Sequence, residues 1–202
     1  MSKLTASQNL VVEVGETNSK ATLGFWIYLM TDCVLFATLF ATYAVQHTAT
    51  FGGESGQQLF SLPFVLLETM VLLTSSFSAG IAMLNVRRSS KFDAMFWFTI
   101  TATLGLLFVC LEFSEFHKLI AEGNSFRRSG FLSSYFTLVA THGLHIVSGL
   151  LWLSVLMVRT WKHGLSTKTV RGWTLFSLFW HFLDVVWIFI FTIVYLFGAI
   201  GV

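Results

Sequence analysis

Carboxylates and imidazoles occur in this chain inside stretches otherwise fit only for lipid. Asp32, Glu68, Glu112 and Asp184 lie within such stretches and Glu115 at the end of one, while His142 and His145 stand in ATHGLHIVSGLLWL and His181 in WHFLDVVWIFIFTIVYL. Residues three apart share a helix face, so His142 with His145, Glu112 with Glu115 and His181 with Asp184 are same-face pairs. Groups of these kinds can relay protons between carboxylate and imidazole. A haem would need two imidazoles facing each other across helices, His142 or His145 with His181, at one depth. Zinc at the single HxxH would lack the general base of an HExxH helix, and a histidine-box di-iron site would need more ligands than one HxxH. A structural reading is also open: the polar groups satisfy one another between packed helices and meet a partner subunit or a lipid headgroup.

Composition sets the elements that must position these groups. Of 202 residues, 55% are hydrophobic and 11% charged, with a mean hydropathy of +0.75, against about a quarter charged in an ordinary soluble domain. The chain is therefore a membrane protein. Windows of about 20 apolar residues predict five spans, at approximately 24–45, 60–84, 95–115, 132–158 and 174–200. They lack the polar–apolar alternation of barrel strands, so the expected fold is all-α. Residues 1–23 form a cytoplasmic N-terminal tail and residues 24–202 a bundle of five transmembrane helices. No cleavable signal peptide is visible, which leaves the first span as a retained anchor. Pro63 opens the second span, where its missing N–H costs little.

Cytoplasmic loops are enriched in Lys and Arg. A cytoplasmic N-terminus puts Lys3, Lys20, Arg87, Arg88, Lys91, Arg159, Lys162, Lys168 and Arg171 on that side and leaves Lys118, Arg127 and Arg128 outside. The expected topology is thus N-terminus cytoplasmic and C-terminus periplasmic. The tryptophans read mostly as an interfacial belt near helix ends, and His47, His117 and His163 as loop residues. Ala37 with Ala41, and Ser76 with Gly80, offer close helix contacts. Cys33 and Cys110 form no CxxC pattern and read as small apolar side chains. No basic cluster interleaved with aromatics appears, so nucleic acid is not an expected partner.

All twelve Lys and Arg lie in loops or at helix ends, so the acids within the spans have only histidines as basic partners in their own chain. An ionised carboxylate near the bilayer centre is costly, and each acid should be protonated, hydrogen-bonded or turned toward protein or water. The topology puts Asp32, His181 and Asp184 in the cytoplasmic half and Glu68, Glu112 and His142 in the outer half. Two polar clusters at different depths are expected, and that mismatch counts against a haem held by His142 and His181.

Five segments, GFWIYLMTDCVLFATLFATY, LPFVLLETMVLLTSS, EFSEFH, THGLHIVSGLLWL and LFWHFLDVVWIFIFTIVYL, span nearly the whole chain and resemble subunit III of the haem-copper respiratory oxidases. THGLH followed by WHFLDVVW at this spacing is highly specific. Within that family the short five-helix form looks most like subunit III of the bo-type (cytochrome o) ubiquinol oxidases. Subunit III of a cytochrome c oxidase is the alternative, and a stand-alone polytopic transporter a more distant one. The resemblance implies a multi-pass subunit of a bacterial inner membrane that carries no haem, copper or quinone centre, these residing in partner subunits. It further implies that the chain packs on and stabilises catalytic subunit I, beside the other oxidase subunits, and holds phospholipid between its helices. Electron transfer from ubiquinol to oxygen and proton pumping would belong to subunit I. Asp32 in LMTDCVLF matches a position where mitochondrial relatives carry an intramembrane glutamate. On this reading Asp32, Glu68, Glu112, His142, His145, His181 and Asp184 are sites of contact with subunit I or lipid, and none is catalytic or metal-ligating.

Overall fold

The computed structural model describes residues 6–51, 59 and 61–200, with side chains from Lys20 onward. Lys3 and the rest of residues 1–5, the loop residues 52–58, Phe60 and the last two residues lie outside the described set. Among the described residues every regular element is helical: α1 (Ala6–Gln46), α2 (Leu62–Arg87), α3 (Lys91–Ala121), α4 (Gly130–His163) and α5 (Thr167–Ile190). α5 runs on through a π-helical turn, Phe191–Leu196, into a last piece, α6 (Phe197–Ile200). Five stretches are long and apolar enough to cross a membrane, as expected: Lys20–Gln46, Leu62–Arg87, Lys91–Ala121, Gly130–His163 and Thr167–Ile200.

The helices outrun their apolar windows. α3 has 31 residues and α4 has 34, which is about 46 and 51 Å of helix against a hydrocarbon core of about 30 Å. A hydropathy window finds only the part in hydrocarbon, whereas backbone hydrogen bonding carries the helix through polar residues until a stop signal. The stops are local. Ser129 and Ser166 cap α4 and α5, their hydroxyl oxygens accepting from the N–H groups of Leu132 at 3.1 Å and Thr169 at 3.3 Å. Gly164, at φ 68°, ends α4 in the conformation that glycine adopts without strain. Two corrections follow: His117 lies on α3 and His163 is the last residue of α4, so neither is a loop residue.

α2 lies against α3 and α5, α4 against α3, α5 and α1, and α1 touches only the α4 and α5 side of the bundle closely. Lipid is as apolar as the helices, so fit and interhelical hydrogen bonds hold such a bundle together. α2 meets α3 through a buried small face that includes Ser75, Ser78, Ala79 and Ala82. From it the Ser75 hydroxyl donates to the Thr101 carbonyl at 3.1 Å, and the Ser78 and Thr101 hydroxyls pair at 2.8 Å. The small pairs expected to make close contacts do otherwise. A Cβ on Gly80 would meet nothing within 4 Å, and Ala37 and Ala41 are exposed on the outer side of α1.

The tryptophans also depart from expectation. Trp173, Trp180 and Trp187 are fully buried; seven-residue spacing, two helical turns, puts all three on one stripe of α5. Trp173 stacks on Phe98 with centroids 3.7 Å apart and donates to the Thr160 hydroxyl at 2.9 Å. Trp187 meets Phe108 in a T-shaped contact with centroids 4.6 Å apart and donates to the Thr69 hydroxyl at 3.1 Å. Trp180 is wedged between α3 and α4, against Gly105 and Gly149, where a Cβ would come within 2.9 and 3.0 Å of its ring. Trp26 and Trp161 remain exposed, as a belt would have them.

Candidate functional site

The polar side chains within the spans fall into three groups, not two. The first is a buried carboxylate–tyrosine cluster built from Glu68 of α2, Glu112 and Glu115 of α3, Tyr135 of α4 and Tyr195 of the π turn. Glu115 Oε2 accepts from the Tyr195 hydroxyl at 2.9 Å and from the Tyr135 hydroxyl at 3.4 Å, and the two hydroxyls lie 2.9 Å apart. Glu68 is within electrostatic reach of both Glu112 and Glu115. The carboxylate oxygens of Glu68 and Glu112 are buried with no hydrogen-bond partner among the described residues, the arrangement expected where bound water or protons complete a site. Gly143, inside THGLH, makes the cluster possible: a Cβ there would stand 2.6 and 2.8 Å from the Glu112 oxygens. The π turn joins in from the far side, since the Tyr43 hydroxyl of α1 donates to the Val194 carbonyl at 3.3 Å. Such turns interrupt the regular hydrogen-bond ladder and recur at functional positions.

The second group joins α1 to α4. His145 Nδ1 donates to the Thr141 carbonyl at 2.7 Å, and its Nε2 faces Asp32 Oδ1 at 3.9 Å. Asp32 is buried, with Oδ2 making no hydrogen bond among the described residues. His142, three residues before His145, points elsewhere: it is fully buried beside the rings of Trp187, Phe108 and Phe36, at centroid distances of 5.3, 6.1 and 6.3 Å.

The third group faces out of the bundle. His181 Nδ1 and the Ser76 hydroxyl are 2.7 Å apart, and the same hydroxyl interacts with Asp184. His181 is exposed, and with Asp184 it lines an open groove between α2 and α5. Asp32, expected at a similar depth, lies on a different helix contact.

The profile of one family, cytochrome c oxidase subunit III, matches residues 9–199 of this sequence. The chain belongs to that family. Among relatives, subunit 3 of the cytochrome bo(3) ubiquinol oxidase of Pseudomonas aeruginosa is 52% identical over 185 residues, 92% of this chain and 88% of that protein. The corresponding subunit of Pseudomonas putida is 49% identical, covering 92% and 89%. Subunit 3 of a cytochrome c oxidase from Bacillus sp. (strain PS3) is 46% identical, covering 89% and 86%.

The three candidate imidazoles turn to three surroundings, His142 into an aromatic enclosure, His145 toward Asp32 and His181 onto the outer groove, so no two face each other as axial ligands must. Among the described residues no three His, Cys, Asp or Glu side chains group as metal ligands. Sequence reasoning missed Tyr135, Tyr195 and Ser76 as members of these sites. A tyrosine or serine in an apolar span carries no periodic signal, and its partners lie 20 to 105 residues away.

Proposed function

We propose that this chain is the non-redox subunit III of a proton-pumping, bo-type ubiquinol oxidase, packed on catalytic subunit I, which it stabilises, and holding phospholipid along its apolar faces. Haem, copper and ubiquinone belong to partner subunits. The chain sits in a bacterial inner membrane with its N-terminus cytoplasmic and its C-terminus periplasmic. One observation supports this most: the polar side chains of the spans meet at helix–helix contacts and at an outward groove, and do not converge around one reacting centre. α1 supports it too, burying a single stripe of Leu29, Asp32, Phe36 and Tyr43 and leaving a broad apolar surface for neighbours. Ubiquinol is the favoured donor because the relatives at 52% and 49% are ubiquinol oxidase subunits. The cytochrome c reading retains the 46% relative in its support.

Purification from native membranes in mild detergent tests this. The chain should emerge in unit stoichiometry with haem-bearing subunits, in a complex that consumes oxygen with ubiquinol and not with reduced cytochrome c. A haem-free homo-oligomer would replace the accessory-subunit reading with that of a stand-alone transporter.

Asp32 gives a second test. Asp32→Asn keeps a hydrogen-bonding group opposite His145, so assembly and most of the oxygen consumption should persist. Asp32→Leu leaves His145 Nε2 with no polar partner across the contact, and α1 should loosen by about 1–3 kcal/mol, seen as lost subunit III in the purified complex. Full assembly with abolished proton pumping in the Asn variant would mean that proton exchange at this carboxyl matters, and a purely structural role would fail.

A further inference from the structure

The groove between α2 and α5 has a volume of about 430 Å³ and an apolar wall that includes Phe77, with Ser76, Gly80, His181 and Asp184 set into it. Asp184 lies 10 residues inside the apolar window that begins at Thr174. At 1.5 Å per residue that is about 15 Å, near the middle of a hydrocarbon core about 30 Å thick. Phospholipid headgroups sit too far away to reach it, and acyl chains offer neither donor nor acceptor. The Ser76 hydroxyl pairs with Nδ1 of His181, so Nε2 of this groove-lining ring is its polar atom left for a partner, donor or acceptor according to the tautomer. Every Lys and Arg of this chain lies outside the spans or at their ends, so no basic side chain of this chain reaches it. Beside this ring Gly80 leaves open space, since a Cβ there would meet nothing within 4 Å. Four residues from Ser76 on the same face of α2, it lets a helix backbone approach closely.

We propose that the α2–α5 groove receives a transmembrane helix of another oxidase subunit. That helix would place a small residue over Gly80 and a hydroxyl or amide side chain, able to donate or accept, against His181. This rests on the subunit reading above and assigns one face of the bundle to it.

The whole oxidase, with this chain carrying a benzophenone amino acid at Phe77, tests the assignment. Phe77 is 69% exposed and lines the groove. Irradiation should join it to a peptide that mass spectrometry identifies as a membrane-spanning segment of another oxidase subunit. Adducts only with lipid, or with a second copy of this chain, would overturn the proposal. Gly80→Phe puts a ring into the groove at a position where a Cβ meets nothing within 4 Å, and should cut the amount of this subunit recovered with the haem-bearing subunits about tenfold, the scale of one lost contact. His181→Phe should give a smaller loss. If the Gly80→Phe chain is recovered undiminished, the groove is not the docking face, although the subunit reading stands. Failure of the unaltered chain to co-purify with haem-bearing subunits would instead remove that reading.

Discussion

Replacing Gly143 with valine should keep this subunit from accumulating in the membrane, and adding Glu112→Ala to it should restore most of the loss. A Cβ at residue 143 would sit 2.6 Å from one Glu112 oxygen and 2.8 Å from the other, with the carboxyl carbon at 3.0 Å. Glu112 is only 4% exposed and cannot swing into lipid; the acids Glu68 and Glu115 lie within its electrostatic reach. Forcing even one methyl group into a packed contact costs about 1–3 kcal/mol, and the branched valine side chain brings two more carbons to the same place. The damage comes from one contact, so removing the Glu112 side chain frees a comparable volume. The two substitutions should therefore be strongly non-additive, as contacting residues are. Membrane abundance and the melting temperature in detergent of the four chains give the coupling. Additive effects, or a Gly143→Val chain that melts like the unaltered one, would mean that α3 and α4 do not close over this carboxylate.

Glu115→Leu should be the most damaging single change among the cluster's hydrogen-bonding residues, and Glu115→Gln among the mildest. Glu115 Oε2 is the acceptor for two buried hydroxyls, those of Tyr195 and Tyr135. A leucine removes the acceptor that both hydroxyls share, and losing the acceptor of a buried donor costs about 1–3 kcal/mol. Glutamine retains an acceptor oxygen at the same reach. The combination Tyr135→Phe, Tyr195→Phe and Glu115→Leu should recover stability relative to Glu115→Leu alone, since no polar group is then stranded. Hydrogen exchange across residues 191–196 is the local readout, because loss of the Tyr195 anchor should open the π turn first. Should Glu115→Gln prove as harmful as Glu115→Leu, the negative charge or the exchangeable proton, and not the acceptor geometry, would be what the cluster needs.

The number and kind of elements were legible because lipid narrows the choices. A chain that must satisfy its own backbone inside a membrane forms helices or a closed barrel, and unbroken apolar windows without alternation leave only helices. Membership of the subunit III family could likewise be read from THGLH and WHFLDVVW, which are contiguous in the chain. The absence of Lys and Arg from the spans, hence the need of the buried acids for other partners, also needed no coordinates.

Direction around each helix axis was not legible, and the sites depend on it. Residues three apart are about 60° apart around a helix, close enough to share a face by rule. That angle nevertheless sends His142 into the Trp187–Phe108 enclosure and His145 to Asp32. Ser75 and Ser76, about 100° apart, go to Thr101 of α3 and to His181 on the outer groove. The spacing of Trp173, Trp180 and Trp187 declares one stripe, but hydropathy cannot tell a stripe facing lipid from one facing α3 and α4, because both surroundings are apolar. Sequence periodicity thus determined which residues of one helix travel together. Only the packing of helices against one another, through glycines at 105, 143 and 149 and hydroxyl bonds between distant residues, decided where each set points.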